Sequence, residues 1–283
     1  MIRILADSTC DLSPELVERY HVTEIPLHVL LDEEEYLDGV NIFPQQIYEW
    51  SDACGRTPKT SAASIEEVTA IYKPFLEQGD ELIVFTISAS MSANNEVCRL
   101  AAEELDAADR IYVVDSANLS TGIGLQVIEA AEMAEAGRSV SEILDVIAHY
   151  RPLVRASFVV DTLVYLHRGG RCSGLAAMAG SVLKLHPRIA VADGKMAPGK
   201  KYRGKIGRVM LNYAKDMEED LLKAKPDRVF ITHSTCDPEY VGAVREYLES
   251  LHHFDEIIET KAGSVISSHC GPGTLGVLFI AGE

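Results

Sequence analysis

Three short runs, "IRILAD" (2–7), "ELIVFTI" (81–87) and "RIYVVDS" (110–116), restrict the fold of this chain more than anything else in it. Each is dense in Ile, Val and Leu, too short for a helix, and followed by a helix-length segment. Strands that are apolar on both sides fit a parallel sheet, because crossover helices cover both of its faces. The intervening segments carry helix signals. "TSAASIEEVTAIYKPFLEQG" (60–79) sets Ser64 three residues before Glu67, a capping box, and stops at Gly79. Further helices are expected from about Ser92 to Leu105, from Leu119 to Gly137, and over "SVSEILDVIAHY" (139–150), which Pro152 interrupts.

Beyond Pro152 the pattern changes to "VRASFVV", a small-residue helix "SGLAAMAGSVLKL", and "RIAVADGKMAP" folded about a turn at Asp193-Gly194. A helix near 205–223, the strand "RVFITHS", the helix "PEYVGAVREYLESL" and the closing strands "EIIETKAG" and "TLGVLFIAGE" follow. At 283 residues the chain is about twice the ~150 of one domain. The expectation is an α/β protein of two domains. Residues 1–153 form an N-terminal α/β domain with a largely parallel sheet flanked by helices. Residues 154–283 form a C-terminal α/β domain with a mixed sheet, and a ligand lies at their interface.

A net charge of −17 repels nucleic acid and anionic lipid surfaces. One basic stretch stands against it, "GKMAPGKKYRGKIGR" (194–208), readable as a solvated turn or as a docking site for an anionic group or acidic partner. The six cysteines, Cys10, Cys54, Cys98, Cys172, Cys236 and Cys270, are scattered without a C-x-x-C pair, which suits a reducing compartment and offers no zinc site. Asp7 interrupts any signal-peptide pattern, and no apolar run approaches the ~18 residues of a membrane span. A cytoplasmic location without stable membrane insertion is expected.

Four stretches place small hydroxyl, amide or glycine residues where a strand gives way to a helix: "ADSTCDLS" (6–13), "PKTSAAS" (58–64), "TISASMSANN" (86–95) and "DSANLSTGIG" (115–124). Loops after parallel strands converge on one edge of the sheet, and helix N-termini there present free N–H groups. Any single stretch reads as an N-cap. The surplus over one cap's needs, Thr86, Ser88, Ser90, Ser92, Asn94 and Asn95, points toward an anion site. A phosphate-binding G-x-x-x-x-G-K-[ST] is absent, and so is the esterase string G-x-S-x-G. "GPGTLG" (271–276) matches G-x-G-x-x-G, but too little chain follows for a dinucleotide-binding unit, so a nucleotide module is not expected. Hydroxyls without a fixed cation suit a carboxylic acid, since they donate to its ionised form and accept from its protonated one.

Two further stretches carry chemistry, "LHRGGRCSG" (166–174) with Arg168 and Arg171, and "SSHCGPG" (267–273) with His269. Arginine and histidine near an anion can stabilise a transferred phosphoryl group. Cys172 and His269 form the alternative, the nucleophile and base of a stand-alone acyl-transfer or thiol hydrolase enzyme.

The ordered set "DSTCDL", "TSAAS", "ISASMSANNE", "DSANLSTGIG", "LVYLHRGGRCSG" and "HCGPGTLG" resembles the DegV family over essentially the whole chain. The resemblance implies a two-domain protein that holds one long-chain fatty acid in a tunnel and has no cofactor, metal or catalytic residue of its own. It also implies a partner, the ATP-binding subunit of a fatty acid kinase, to which the carboxyl group is presented for acyl phosphate formation. Carried onto this chain, Thr60 and Ser92 hold the carboxyl group, Ser61 is an alternate for Thr60, and His269 completes the network. Arg171 and Arg203 meet the phosphoryl group or the kinase. The family commonly has Ser-Gly-Thr where this chain has Ser92-Ala93-Asn94, and Thr-Ser-Gln-Pro-Ser where it has "TSAAS".

Overall fold

The computed structural model describes residues 1–171 and 185–282, and in it the chain is a mixed α/β protein. The strands of the N-terminal half are β1 (Ile2–Asp7), β2 (Thr23–Ile25), β3 (His28–Leu31), β4 (Glu34–Leu37), β5 (Lys59–Ser61), β6 (Glu81–Thr86) and β7 (Ile111–Asp115). Those of the C-terminal half are β8 (Val154–Val159), β9 (Leu185–Ala192), β10 (Lys195–Arg203), β11 (Arg228–Ser234), β12 (Glu256–Lys261) and β13 (Thr274–Ile280).

The three apolar runs of the sequence become β1, β6 and β7, which join β2 in a fully parallel sheet of order β2-β1-β6-β7. Alternation along each strand divides its side chains between two cores. Ile4, Ala6, Ile83 and Phe85 enter one; Leu5, Leu82 and Val84 enter the other. Helix Ile65–Glu77 begins as the capping box requires, with Ser64 N–H donating to Glu67 Oε2 at 2.7 Å and Glu67 N–H to Ser64 Oγ at 3.2 Å. The helix expected from Ser92 starts at Asn94; before it, the N–H groups of Met91 and Ser92 both donate to the Ser88 carbonyl in a separate turn.

The C-terminal half builds a six-stranded sheet of order β10-β9-β8-β13-β11-β12, parallel only between β11 and β12. The hairpin at Asp193-Gly194 is present between β9 and β10. The helix expected over 205–223 is broken into Ile206–Lys215 and Glu218–Leu221. At the break, the Asp216 carboxylate accepts from Tyr202 and pairs with Lys200, both of β10. The small-residue helix "SGLAAMAGSVLKL" falls almost entirely outside the described residues.

A third sheet, antiparallel and of order β4-β3-β5, brings Thr60 and Ser61 beside His28 and Val29. The helix Thr121–Glu135 then joins the halves. Every residue from Thr121 to Ala131 is buried, and the helix packs on β1 and β6 as well as on β8 and β13. A helix buried all round belongs to a core, and one core cluster takes Phe85 and Leu125 together with Phe158, Phe230 and Leu278. Residue 153 therefore marks a change of sheet, with apolar packing continuous across it.

Candidate functional site

The short edge strand β5, the segment between β6 and the helix Asn94–Glu104, and the helix Ser264–Cys270 enclose a cavity of about 390 Å³. That volume lies within the range of small-molecule sites, ~300 to 1,000 Å³. Its polar end is formed by Thr60, Ser61, Ser92, Arg171 and His269. Its apolar wall includes Leu27, Ile87, Leu119, Met196, Val265 and Ile266. Leu27, Ile87, Leu119, Met196, Val265 and Ile266 are buried, whereas Ser61 and Arg171 are exposed and Thr60 and Ser92 half-buried. The polar end thus faces water and the greasy end points inward. A smaller chamber of about 30 Å³ shares Leu119, Ile266 and Cys270 with the first and continues toward Phe158, Gly276 and Leu278.

Both hydroxyls are set up as donors. Ser92 Oγ accepts the backbone N–H of Asn94 at 3.2 Å, so its own proton is free to point elsewhere. Thr60 Oγ1 lies 2.8 Å from His269 Nε2. With the ring proton on Nε2, His269 donates to Thr60 and leaves the threonine proton available. A carboxylate only accepts, so a carboxylate in the cavity selects that tautomer. His269 Nδ1 is buried without a hydrogen-bond partner, which suits a bare lone pair better than a second N–H. Gly169 makes room for it: a Cβ there would lie 2.5 Å from Nδ1.

Burial, and after it the Arg171 charge, push the His269 pKa down to about 4, so the ring is neutral at pH 7. Among the described residues that line the cavity, Arg171 alone carries a fixed charge. The depressed value has a consequence for folding. An unfolded chain protonates His269 near pH 6.5 and the folded one only near pH 4, so stability contributed by the neutral ring is complete above 6.5 and falls as the pH drops through that window. Urea unfolding of delipidated wild type and His269→Asn at pH 7 and pH 4.5 is expected to show wild type losing on the order of 2 to 3 kcal/mol more than the variant. Parallel losses in the two proteins would exclude this role for the ring.

His269 belongs to the last turn of the helix Ser264–Cys270. That helix is held from far along the chain. Asp38 accepts from Ser264 N–H at 2.6 Å and from the Ser8 hydroxyl at 2.9 Å. Asp11 accepts from Gly263 N–H at 2.8 Å and from the Ser120 hydroxyl. Burial pushes both carboxyls above their usual range. The "GPGTLG" glycines follow this helix and lead into β13, the reverse of a strand-to-helix phosphate loop. Gly271 has φ +74°, and a Cβ there would lie 2.5 Å from the Tyr165 ring.

Of the four hydroxyl-rich stretches, two deliver side-chain hydroxyls to the cavity and two do not. In 115–124, Ser120 binds Asp11, Thr121 binds Thr232, and Ser116 donates to the Asn118 carbonyl. In 6–13, Ser8 and Thr9 are spent on Asp38 and Asp7. Even within 86–95 the surplus is mostly internal: Thr86 donates to Val114 O and accepts from Asn95, and Ser88 donates to Gly194 O at the hairpin tip. Buried polar groups need partners, and most of these hydroxyls serve nearby carboxylates and backbone carbonyls. Arg203, at the end of β10, is exposed and does not line the cavity. Arg168 donates to the Gly55 carbonyl. Cys172 lies outside the described residues. Cys270, which no motif singled out, lines both chambers. Among the described residues no cluster of three or more His, Cys, Asp or Glu could hold a metal, and no helix is long and apolar enough to cross a membrane.

The model of the family described as "Uncharacterised protein, DegV family" matches residues 1–282. A DegV domain-containing protein of Deinococcus radiodurans is 34% identical over 276 residues, which cover 98% of this chain and 97% of that protein. The solved structure of a DegV family protein from Thermus thermophilus, described as fatty acid binding, superposes with a TM-score of 0.91 at 31% identity, covering 99% of each chain. A stearic acid-binding protein from Eubacterium ventriosum gives 0.85 at 28% identity, covering 99% of this chain and 98% of the other.

Proposed function

The chain belongs to the DegV family, and on that premise we propose that it carries one long-chain fatty acid and offers its carboxyl group to an ATP-dependent kinase. One observation carries the reading: a single cavity has two hydroxyl donors and an arginine at its wet end and buried apolar walls at its dry end. That polarity fixes the direction of an amphiphile. A carboxylate turned inward among Leu119 and Ile266 would lose its partners, at about 1 to 3 kcal/mol or more. Turned outward it meets Thr60, Ser92 and Arg171, with Ser61 beside them, where a second protein can reach it.

Arg171 at the cavity mouth and Arg203 on the basic edge strand β10 are assigned to the phosphoryl group or to the partner. The thiol of the alternative enzyme, Cys172, lies outside the described residues, and nothing among the described residues favours that reading.

Small molecules extracted from the purified protein and analysed by mass spectrometry are expected to contain a long-chain fatty acid at about one per chain. Failure of the delipidated protein to bind palmitate at micromolar concentration would remove the proposal. For the partner step, Arg171→Ala is expected to weaken palmitate binding by about threefold to tenfold, the share of one exposed charge, and is compared with wild type at saturating palmitate. It should lose most acyl phosphate formation when a fatty acid kinase and ATP are supplied. Undiminished acyl phosphate formation would leave the arginine without that role.

A further inference from the structure

We propose that Asp7 and Asn94 are positioning residues that hold the two hydroxyl donors, Thr60 and Ser92, at the spacing of one carboxylate; the inference rests on the fatty-acid reading above. Neither residue lines the cavity, and both are completely buried. Their hydrogen bonds nevertheless connect the two segments that do.

Asp7 closes β1 and faces four donors. One carboxylate oxygen takes the N–H and the hydroxyl of Thr9. The other takes Ile87 N–H at 2.8 Å and Asn94 Nδ2 at 3.0 Å. Ile87 is where the chain leaves β6, so the first of these contacts fixes the start of the segment that ends at Ser92. Asn94 fixes its finish. The asparagine's backbone N–H holds Ser92 Oγ, and its side-chain oxygen accepts from Ala63 N–H at 3.4 Å. Ala63 lies three residues beyond Thr60 in the neighbouring segment. One carboxylate and one amide therefore span both hydroxyl-bearing segments.

The residue types are those that such a span requires. A carboxamide donates and accepts at once, so it can face an acceptor-only carboxylate on one side and a backbone N–H on the other. Asp7 has no exposed surface; burial pushes its carboxyl upward, and hydrogen bonds from Thr9, Ile87 and Asn94 offset part of that cost. Buried networks satisfied at every atom hold a single geometry. Rigid support of this kind is what keeps polar contacts to a ligand at productive distances.

The test compares a ligand with a carboxylate and one without. Delipidated wild type, Asn94→Leu, Asn94→Ala and Asn94→Thr are titrated with palmitate and with hexadecanol, and their melting temperatures are measured alongside. In the Leu and Ala variants palmitate affinity is expected to fall roughly tenfold to a hundredfold, the equivalent of one or two charge-assisted hydrogen bonds misplaced. Hexadecanol affinity should stay within about twofold, because the tail and its walls are untouched. The Thr variant keeps a hydroxyl able to reach Asp7 and should recover most of the preference for the acid. A lower melting temperature with an unchanged palmitate-to-hexadecanol ratio, or equal losses for both ligands, would overturn the proposal. Wild type that binds neither ligand would overturn the fatty-acid reading instead.

Discussion

Replacing Thr60 and Ser92 together by alanine is expected to lower palmitate affinity by roughly two to four orders of magnitude. On the proposed reading each hydroxyl would donate to the charged carboxylate, a bond worth about 1.5 to 3 kcal/mol, and each 1.4 kcal/mol is tenfold in affinity. The substitutions also leave His269 Nε2 and Asn94 N–H, which now satisfy those hydroxyls, without their acceptors. Water can enter beside the exposed Ser61 and Arg171, which favours the lower end of the range. Isothermal titration of the delipidated proteins measures the change. The two residues share one ligand group, so the single variants should not add to the double. A loss smaller than about fivefold would mean that the acid is held elsewhere.

Lengthening the acid should have an effect as large. A buried methylene contributes about 0.8 kcal/mol, close to fourfold in affinity, so saturated acids from eight to sixteen carbons should span on the order of 6 kcal/mol. The rise should be even per carbon while the tail occupies the wall of Leu27, Ile87, Leu119 and Ile266, and should flatten once the small chamber beside Phe158 and Leu278 is filled. Ile266→Phe places extra volume at the junction of the two chambers and is expected to bring the plateau to shorter chains without altering the slope before it. Displacement of a fluorescent fatty acid across the series reads both features. Affinity that does not depend on chain length would show that the tail remains in water.

The parallel sheet was legible because β1, β6 and β7 are apolar on both faces, and the capping box at Ser64 marked the start of its helix to the residue. Thr60, Ser61, Ser92, Arg171 and His269, carried onto the chain by resemblance, border one cavity. What escaped the sequence has a common physical cause. The strands β2 to β5 are three or four residues long and owe their existence to pairing, so none shows a period of its own. "SVISSHC" gives no helical stripe and is held at its N-terminus by Asp11 and Asp38, more than two hundred residues away in sequence. Local pattern could not reveal it. The surplus of hydroxyls was a mixed signal for the same reason: Thr86, Ser88, Ser120 and Thr121 find partners that only the folded chain supplies.

The helix Thr121–Glu135 has a mechanical meaning. Because the run from Thr121 to Ala131 touches both sheets with none of its sides free, swinging one half away from the other would strip a whole helix of its surroundings. On the carrier reading proposed above, entry and release of the acid are expected to leave the packing between the two sheets intact and to use only segments beside the cavity.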